Sequence, residues 1–374
     1  MTGAHATPTQ KPLTRIHMTS VAAAASATTA AIARDYSTAI FGVTAYAMIT
    51  RKGATHLPLV RGTGFLVRYS IVAFYNHHVV TAAHLLKPTK YRELYGSPRV
   101  MESIGERHIS HKLLRFTDDG FRAAALPLLP GGPTTFANMD VGVSRIEREM
   151  DIFPQMRRDG LPPIPAFELD VSPIHNGELV TLLGMDLLKD EDVADTATMT
   201  PRAVEAVCRG RMTTDQFGPV VLVAGASSVP DNGTLSPQRA QAADDGDGGK
   251  VDPSPLISGG MVGGPVIRKS NGKCVGILVA PCRRTRHLTD EKIWRDRLER
   301  ASKPLPKTVE DAEKGKIDVQ SMAKDFFEAN RQLLTDPYLD ISSNTALLNA
   351  VAGPMAAFVG AGEFEAALRR TEII

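Results

Sequence analysis

Cysteine is scarce in this chain of 374 residues, and the few that occur exclude two common kinds of site. The three cysteines are Cys208, Cys274 and Cys282, so their odd number excludes a framework in which every thiol is paired. Their spacing is not that of metal-binding cysteines either. The pattern predicts a reducing compartment and gives no reason to expect a structural metal.

The chain also lacks a strong charge imbalance and long apolar runs. It has 43 Lys and Arg against 41 Asp and Glu, a formal charge of +2, which predicts no general attraction to nucleic acids or membrane surfaces. No apolar run reaches the roughly 20 residues needed to span a bilayer. No dinucleotide-binding or phosphate-binding glycine motif is present, so we predict no cofactor and no membrane partner.

Acidic residues are missing from the first 34 positions, which carry Lys11, Arg15 and Arg34 among many Ala, Thr and Ser. This composition is typical of a mitochondrial targeting segment and lacks the stronger apolar centre of a secretory signal. A disordered Ala/Thr-rich tail fits the same composition equally well. We therefore predict that residues 1–36 are a targeting-like or disordered tail, and that the protein is mitochondrial.

Short apolar segments separated by turn residues dominate the chain from residue 37 to residue 282. Many short strands at this spacing are typical of an all-β sandwich or barrel. No repeat of 20–50 residues is visible, which argues against a solenoid or a propeller. The predicted strands are 40–46, 64–67, 71–74, 79–81, 140–146, 179–184, 204–207, 220–224, 266–267 and 274–279.

Two stretches depart from this β pattern. Residues 226–255 are rich in Ser, Asp, Gly, Pro and Gln, which predicts a disordered surface insertion. Its acidic residues lack the spacing of a calcium-binding loop. Residues 283–374 place apolar side chains at helical intervals, so we predict a helical C-terminal extension that either packs on the barrel or docks other chains. The predicted helices are 290–301, 309–334, 344–351 and 356–370.

Four glycines fall within the six residues 259–264, where backbone must adopt special conformations or approach another group closely. Gly260–Pro265 resembles the Gly-x-Ser-Gly-Gly-Pro nucleophile loop of the chymotrypsin-like serine proteases, with Val262 in place of the serine. Three further segments resemble that family in its order along the chain. They are Gly62–Val67 before the catalytic histidine, Thr81–His84 around it, and Asp140–Val143 around the orienting aspartate.

This resemblance implies a mainly β, chymotrypsin-like double β-barrel over residues 37–282. It also implies that His84 takes the place of the general base, that Asp140 orients it, and that the backbone N–H groups of Gly260 and Val262 form the oxyanion pocket. Val262 has no atom that can attack a carbonyl, so the resemblance implies an inactive member rather than an enzyme. The missing cysteine after His84 places it nearest the intracellular HtrA-like branch.

Several polar groups suggest other sites. His77, His78, His108 and His111 could indicate a metal, but neighbouring residues on a strand face opposite sides and no acidic or cysteine partner completes a set. We therefore predict a surface role for these histidines. The basic cluster at residues 283–287 could contact RNA phosphates, or it could be a solvated strand end.

A preserved scaffold, a vacated nucleophile position and added segments favour a pseudoprotease that serves as a structural or interaction subunit of a larger assembly. With its acid-free N-terminus and basic cluster, the chain suggests a mitochondrial ribonucleoprotein such as the mitochondrial ribosome as host. Two alternatives stay open. One is a hydrolase that uses another nucleophile or a water activated by His84, and the other is a module that captures peptides without cleaving them.

Overall fold

The chain is mainly β, as predicted. The computed structural model describes residues 36, 39–49, 55–71, 74–91, 94, 109–117, 120–125, 134–136, 138–146, 165–187, 199–226, 256–283, 338–341 and 353–370. Within these ranges the chain forms fifteen strands, two helices and one 3-10 turn. No helix among them is long and apolar enough to cross a bilayer. The predicted N-terminal tail lies outside these ranges apart from Tyr36, and so do residues 227–255 of the predicted insertion.

The first sheet is built from consecutive hairpins in the N-terminal half of the described chain. Its strands follow the order β5-β4-β1-β2-β3-β7-β6, and all these neighbours are antiparallel. A short strand, β8 (Ala166–Phe167), adds a parallel pairing to β2. The other bounds are β1 (Ile40–Ile49), β2 (Thr55–Ile71), β3 (Phe74–Thr81), β4 (Ile109–Thr117), β5 (Gly120–Ala125), β6 (Thr134–Thr135) and β7 (Gly142–Ile146), with helix α1 (Ala83–Leu86) after β3.

The second sheet closes on itself as a six-stranded barrel. Its order is β12-β9-β10-β11-β15-β13, and β12 pairs with both β9 and β13, so the ring has no free edge within these six strands. A two-residue strand, β14 (Leu339–Asp340), adds a parallel pairing at the end of β13. The other bounds are β9 (Leu179–Leu187), β10 (Met199–Thr214), β11 (Gly218–Gly225), β12 (Pro265–Arg268), β13 (Cys274–Arg283) and β15 (Met355–Gly360).

The predicted helical C-terminal extension is confirmed only as one short helix in the described residues, and the predicted helix 356–370 is wrong in its first part. Residues 355–360 form β15, which lies between β11 and β13 inside the barrel, and only α2 (Ala361–Arg370) is helical. Every residue of β15 is buried, so it appears in the sequence as a continuous apolar run without the alternation that marks a half-buried strand. The predicted helices 290–301, 309–334 and 344–351 lie outside the described residues.

A buried apolar cluster joins the two sheets. Phe65 of β2 and Phe167 of β8 meet edge to face, with ring centroids 5.6 Å apart, and belong to the same buried cluster as Leu222 and Val279 of the barrel. The fully buried Phe364 adds α2 to this cluster. The two sheets therefore share buried surface, and Phe167 from the segment between them packs at that junction.

Candidate functional site

His84 and Asp140 form a buried hydrogen-bonded pair. The carboxylate Oδ2 lies 2.6 Å from His84 Nδ1, and Oδ1 accepts the backbone N–H of His84 at 3.0 Å. Because a carboxylate is the acceptor, Nδ1 carries the proton and the ring is held in one orientation. The side chains of His84 and Asp140 are 1% and 0% exposed. The structure therefore brings together two of the residues that the motifs singled out, 56 positions apart.

The barrel formed by the second sheet holds the loop that carries Asp140. Phe217, at the tip of the β10–β11 hairpin, is fully buried, and its backbone oxygen accepts the Asp140 N–H at 3.3 Å. Gly218 follows with a φ of +76°, and a Cβ there would lie 1.9 Å from the backbone oxygen of Asn138. No sequence motif indicated this contact, because it depends on where a hairpin of the other sheet ends.

The turn that carries Val262 is closed by its own hydrogen bonds. Gly259–Met261 form a 3-10 turn, and the Val262 N–H donates to the Gly259 oxygen at 3.2 Å. Gly263 follows with a φ of +86°, which favours glycine. An oxyanion pocket needs donors directed at the substrate. The Val262 amide is instead bonded within its turn, unlike the arrangement that the resemblance implied.

The side chain of Val262 belongs to the core. It is 1% exposed and packs in a cluster that includes Ala82, Leu85, Ile257 and Met261. Leu85 follows His84 on α1, so the turn rests against the helix that carries the histidine. The isopropyl group offers neither a lone pair nor a proton to a reaction.

Glycines make this packing possible. A Cβ at Gly62 would lie 2.6 Å from the Val262 oxygen, and one at Gly184 would lie 2.6 Å from the Met261 Cα. A Cβ at Gly142 would lie 3.0 Å from the Ala83 Cα. All these neighbours are backbone atoms, which cannot move aside cheaply. Strands β2, β7 and β9 therefore have glycine where α1 and the turn approach them.

Thr63 of β2 connects the turn to both sheets. Its hydroxyl donates to the Gly260 oxygen at 2.7 Å and accepts the Met185 N–H at 2.7 Å. Its own N–H donates to the Val262 oxygen at 2.7 Å, and its oxygen accepts the Thr81 hydroxyl at 2.6 Å. Thr63 lies within the Gly62–Val67 motif, but nothing in the sequence shows that its hydroxyl contacts the turn.

The predicted surface role of the histidines is wrong for His111. Its side chain is 3% exposed, and Nε2 lies 3.2 Å from the Leu85 oxygen at the end of α1. Burial lowers the pKa of His111 to about 4, although the carbonyl groups of Leu85 and Leu86 act in the opposite direction. His77 and His78 lie on β3, and His108 is outside the described residues. Within the described ranges, no three His, Cys, Asp or Glu residues are grouped so that they could hold a metal ion.

The three cysteines lack the features of activated nucleophiles. Cys208, Cys274 and Cys282 are free and buried, and burial raises the pKa of Cys208 and Cys274 to about 12 and also raises the pKa of Cys282. A thiol needs a lowered pKa to be reactive. The buried Ser258 Oγ has no hydrogen-bond partner among the described residues, so no base is in place to activate it.

A groove of about 510 Å³ lies away from the His84–Asp140 pair, where α2 begins. It is lined by residues of the segment before β9, by β10 and β11, and by the first turn of α2. Val171, which is 50% exposed, and Arg211 are among its walls. None of the residues singled out by the motifs contributes to it.

No protein-family model and no curated protein matches this sequence. What the site can do therefore follows from its own geometry.

Proposed function

We propose that this protein is a non-catalytic member of the chymotrypsin-like double-barrel fold, serving as a structural or interaction subunit of a larger assembly. The observation that carries the proposal is the burial of Val262 beside an intact His84–Asp140 pair. The orienting half of a triad is retained, whereas the nucleophile position has become part of the core.

Acyl transfer by such a site needs a nucleophile, an accessible base and donors for the oxyanion. Val262 supplies no nucleophile, and its N–H is bonded to the Gly259 oxygen. His84 is 1% exposed. The first two requirements fail for separate reasons, and one of the two expected oxyanion donors is occupied, which favours a loss of chemistry over a substituted mechanism.

The same burial weighs against the two alternatives. A hydrolase that uses a water activated by His84 needs solvent and substrate at the imidazole, and a peptide-capturing cleft needs an opening beside Val262. Both side chains are 1% exposed. The scaffold hypothesis requires neither opening, because it uses the outside of the barrels.

We propose a mitochondrial ribonucleoprotein, such as the mitochondrial ribosome, as the host assembly. The acid-free N-terminal segment supports the compartment. The basic cluster at residues 283–287 supports an RNA contact, since Lys and Arg neutralise phosphates. Both supports come from sequence alone.

Purification of the tagged full-length protein from its native cells tests this assignment. We expect stoichiometric protein partners that migrate with it in one large particle, and a particle that RNase breaks into smaller pieces. The partners are identified by mass spectrometry, with the tag alone as the control. A lone protein at its own mass of 40.3 kDa would contradict the proposal.

The variant Val262→Ser tests the loss of catalysis. We expect no labelling by a serine-directed fluorophosphonate above that of Val262→Ala, because the new hydroxyl would be buried and the residue 262 amide would remain bonded to the Gly259 oxygen. The Ala variant controls for the lost methyl groups, and an active serine protease labelled in parallel controls the reagent. Clear labelling of the Ser variant alone would show that the catalytic surroundings are still assembled.

A further inference from the structure

The closed turn depends on two carbonyl groups that both point to Thr63. The Gly260 oxygen accepts the Thr63 hydroxyl, and the Val262 oxygen accepts the Thr63 N–H, each at 2.7 Å. These two contacts anchor the turn at its second residue and at its last residue. Between them lies the Val262 amide, bonded back to the Gly259 oxygen.

A peptide group between two glycines is not fixed in one orientation by side-chain sterics. Gly259 and Gly260 have no Cβ, so rotation of the peptide between them meets little steric resistance. Such a rotation would turn the Gly259 oxygen away from the Val262 N–H and leave that amide without its acceptor. The Thr63 hydroxyl bonds the following carbonyl, that of Gly260, and so anchors the Gly260–Met261 peptide in the middle of the turn that the Val262–Gly259 hydrogen bond closes.

We propose that Thr63 is a lock that holds residues 259–262 in the closed conformation, in which the Val262 amide cannot serve an oxyanion. This inference rests on the proposed function and extends it. The lock would prevent the Val262 amide from binding an oxyanion, and this effect is independent of the missing nucleophile. The hydroxyl is both a donor and an acceptor, since it also accepts the Met185 N–H at 2.7 Å. The lock therefore ties the turn to β9 of the barrel and to β2 of the first sheet.

Thr63 has a built-in control in Thr81. Both side chains are fully buried, and the Thr81 hydroxyl donates to the Thr63 oxygen at 2.6 Å without bonding any residue of the turn. Replacing either threonine by valine removes one buried hydroxyl and preserves shape. Only the change at position 63 removes the contact with Gly260.

Amide hydrogen exchange of the full chain, measured at Val262 under native conditions, tests the lock. We expect Thr63→Val to exchange this amide at least about tenfold faster than wild type, because the loss of the anchoring bond favours local opening. Thr63→Ser keeps the hydroxyl and should exchange at nearly the wild-type rate, as should Thr81→Val. An unchanged rate in Thr63→Val, or equal acceleration in Thr81→Val, would overturn the proposal.

A second measurement covers the case in which Thr63→Val does not fold. In the wild-type chain the lock predicts a Thr63 hydroxyl proton that exchanges slowly enough to be seen by NMR, together with a protected Val262 amide. A rapidly exchanging hydroxyl or an unprotected Val262 amide would overturn the lock. Neither measurement depends on catalysis or on a partner, so the lock and the proposed function can fail separately.

Discussion

Replacing Arg268 by Met is expected to lower the free energy of unfolding by about 3 kcal/mol, the low end of the range for breaking a buried ion pair from one side, because the two partner carboxylates are 12% and 18% exposed. Arg268 lies on β12 directly after the Val262 turn, and its side chain is 8% exposed. Its guanidinium forms ion pairs with both Asp170 and Glu178. Met fills much of the same space but leaves both carboxylates without their counter-charge.

The Arg268 network fixes the segment that connects the two sheets. Nη2 also donates to the Pro173 oxygen at 3.1 Å. Burial by itself raises the pKa of Asp170, but hydrogen bonds from Ser172, Asn271 and Arg268 outweigh it and hold that pKa below its usual range. The carboxylate thus stays charged at neutral pH, which is why removal of the cation is costly.

Thermal and urea unfolding followed by circular dichroism measure the effect of Arg268→Met. Arg202→Met is the matched control, since its ion pair with Asp186, at 3.1 Å, joins side chains that are 40% and 27% exposed. An exposed pair of this kind contributes at most about 1 kcal/mol. A loss in Arg268→Met no larger than in Arg202→Met would show that the network does not hold the segment.

The second large predicted effect is a loss of folding stability at acidic pH that is caused by His111. Its pKa is about 4 in the folded chain against an ordinary value of 6.5. One pKa unit corresponds to about 1.4 kcal/mol. Protonation of His111 in the unfolded chain therefore removes roughly 3 kcal/mol of folding stability by pH 4. The sign follows from the lowered folded pKa. The stability is present above pH 6.5 and is lost as the pH falls toward the folded value.

The geometry explains why His111 resists protonation. Its Nε2 lies 3.2 Å from the Leu85 oxygen, an acceptor, so Nε2 carries the proton of the neutral ring. Nδ1 is buried without a hydrogen-bond partner among the described residues. A second proton would have no acceptor there. Burial of the ring and the lack of a partner at Nδ1 therefore oppose the charged form, although the Leu85 oxygen favours it.

Urea unfolding at a series of pH values between 7 and 4 measures this loss. His111→Gln keeps a donor for the Leu85 oxygen but cannot titrate, and should lose roughly 3 kcal/mol less than wild type over this range. His175→Gln changes an exposed imidazole and should keep the wild-type dependence. An identical pH dependence in wild type and His111→Gln would show that His111 is not the group responsible.

The site illustrates what short motifs can and cannot predict. His84 and Asp140 were found because each lies in a local pattern that resembles a known segment, and the structure brings them to 2.6 Å. The conformation of the turn was not predictable, because glycine permits several peptide orientations and the choice depends on Thr63, 197 positions from Gly260. The resemblance therefore predicted which residues meet at the site. The conformation of the turn depends on tertiary contacts that the sequence does not show.

The sequence by itself determined the mainly β class, because alternation and turn residues are local properties. It also determined that residue 262 is a valine, whose side chain has no nucleophilic atom. Only the tertiary structure decided that residues 355–360 close the barrel, since a fully buried strand has no alternation to show which element it forms. Only the tertiary structure decided that His111 is buried beneath α1, because exposure depends on which distant element packs over a residue.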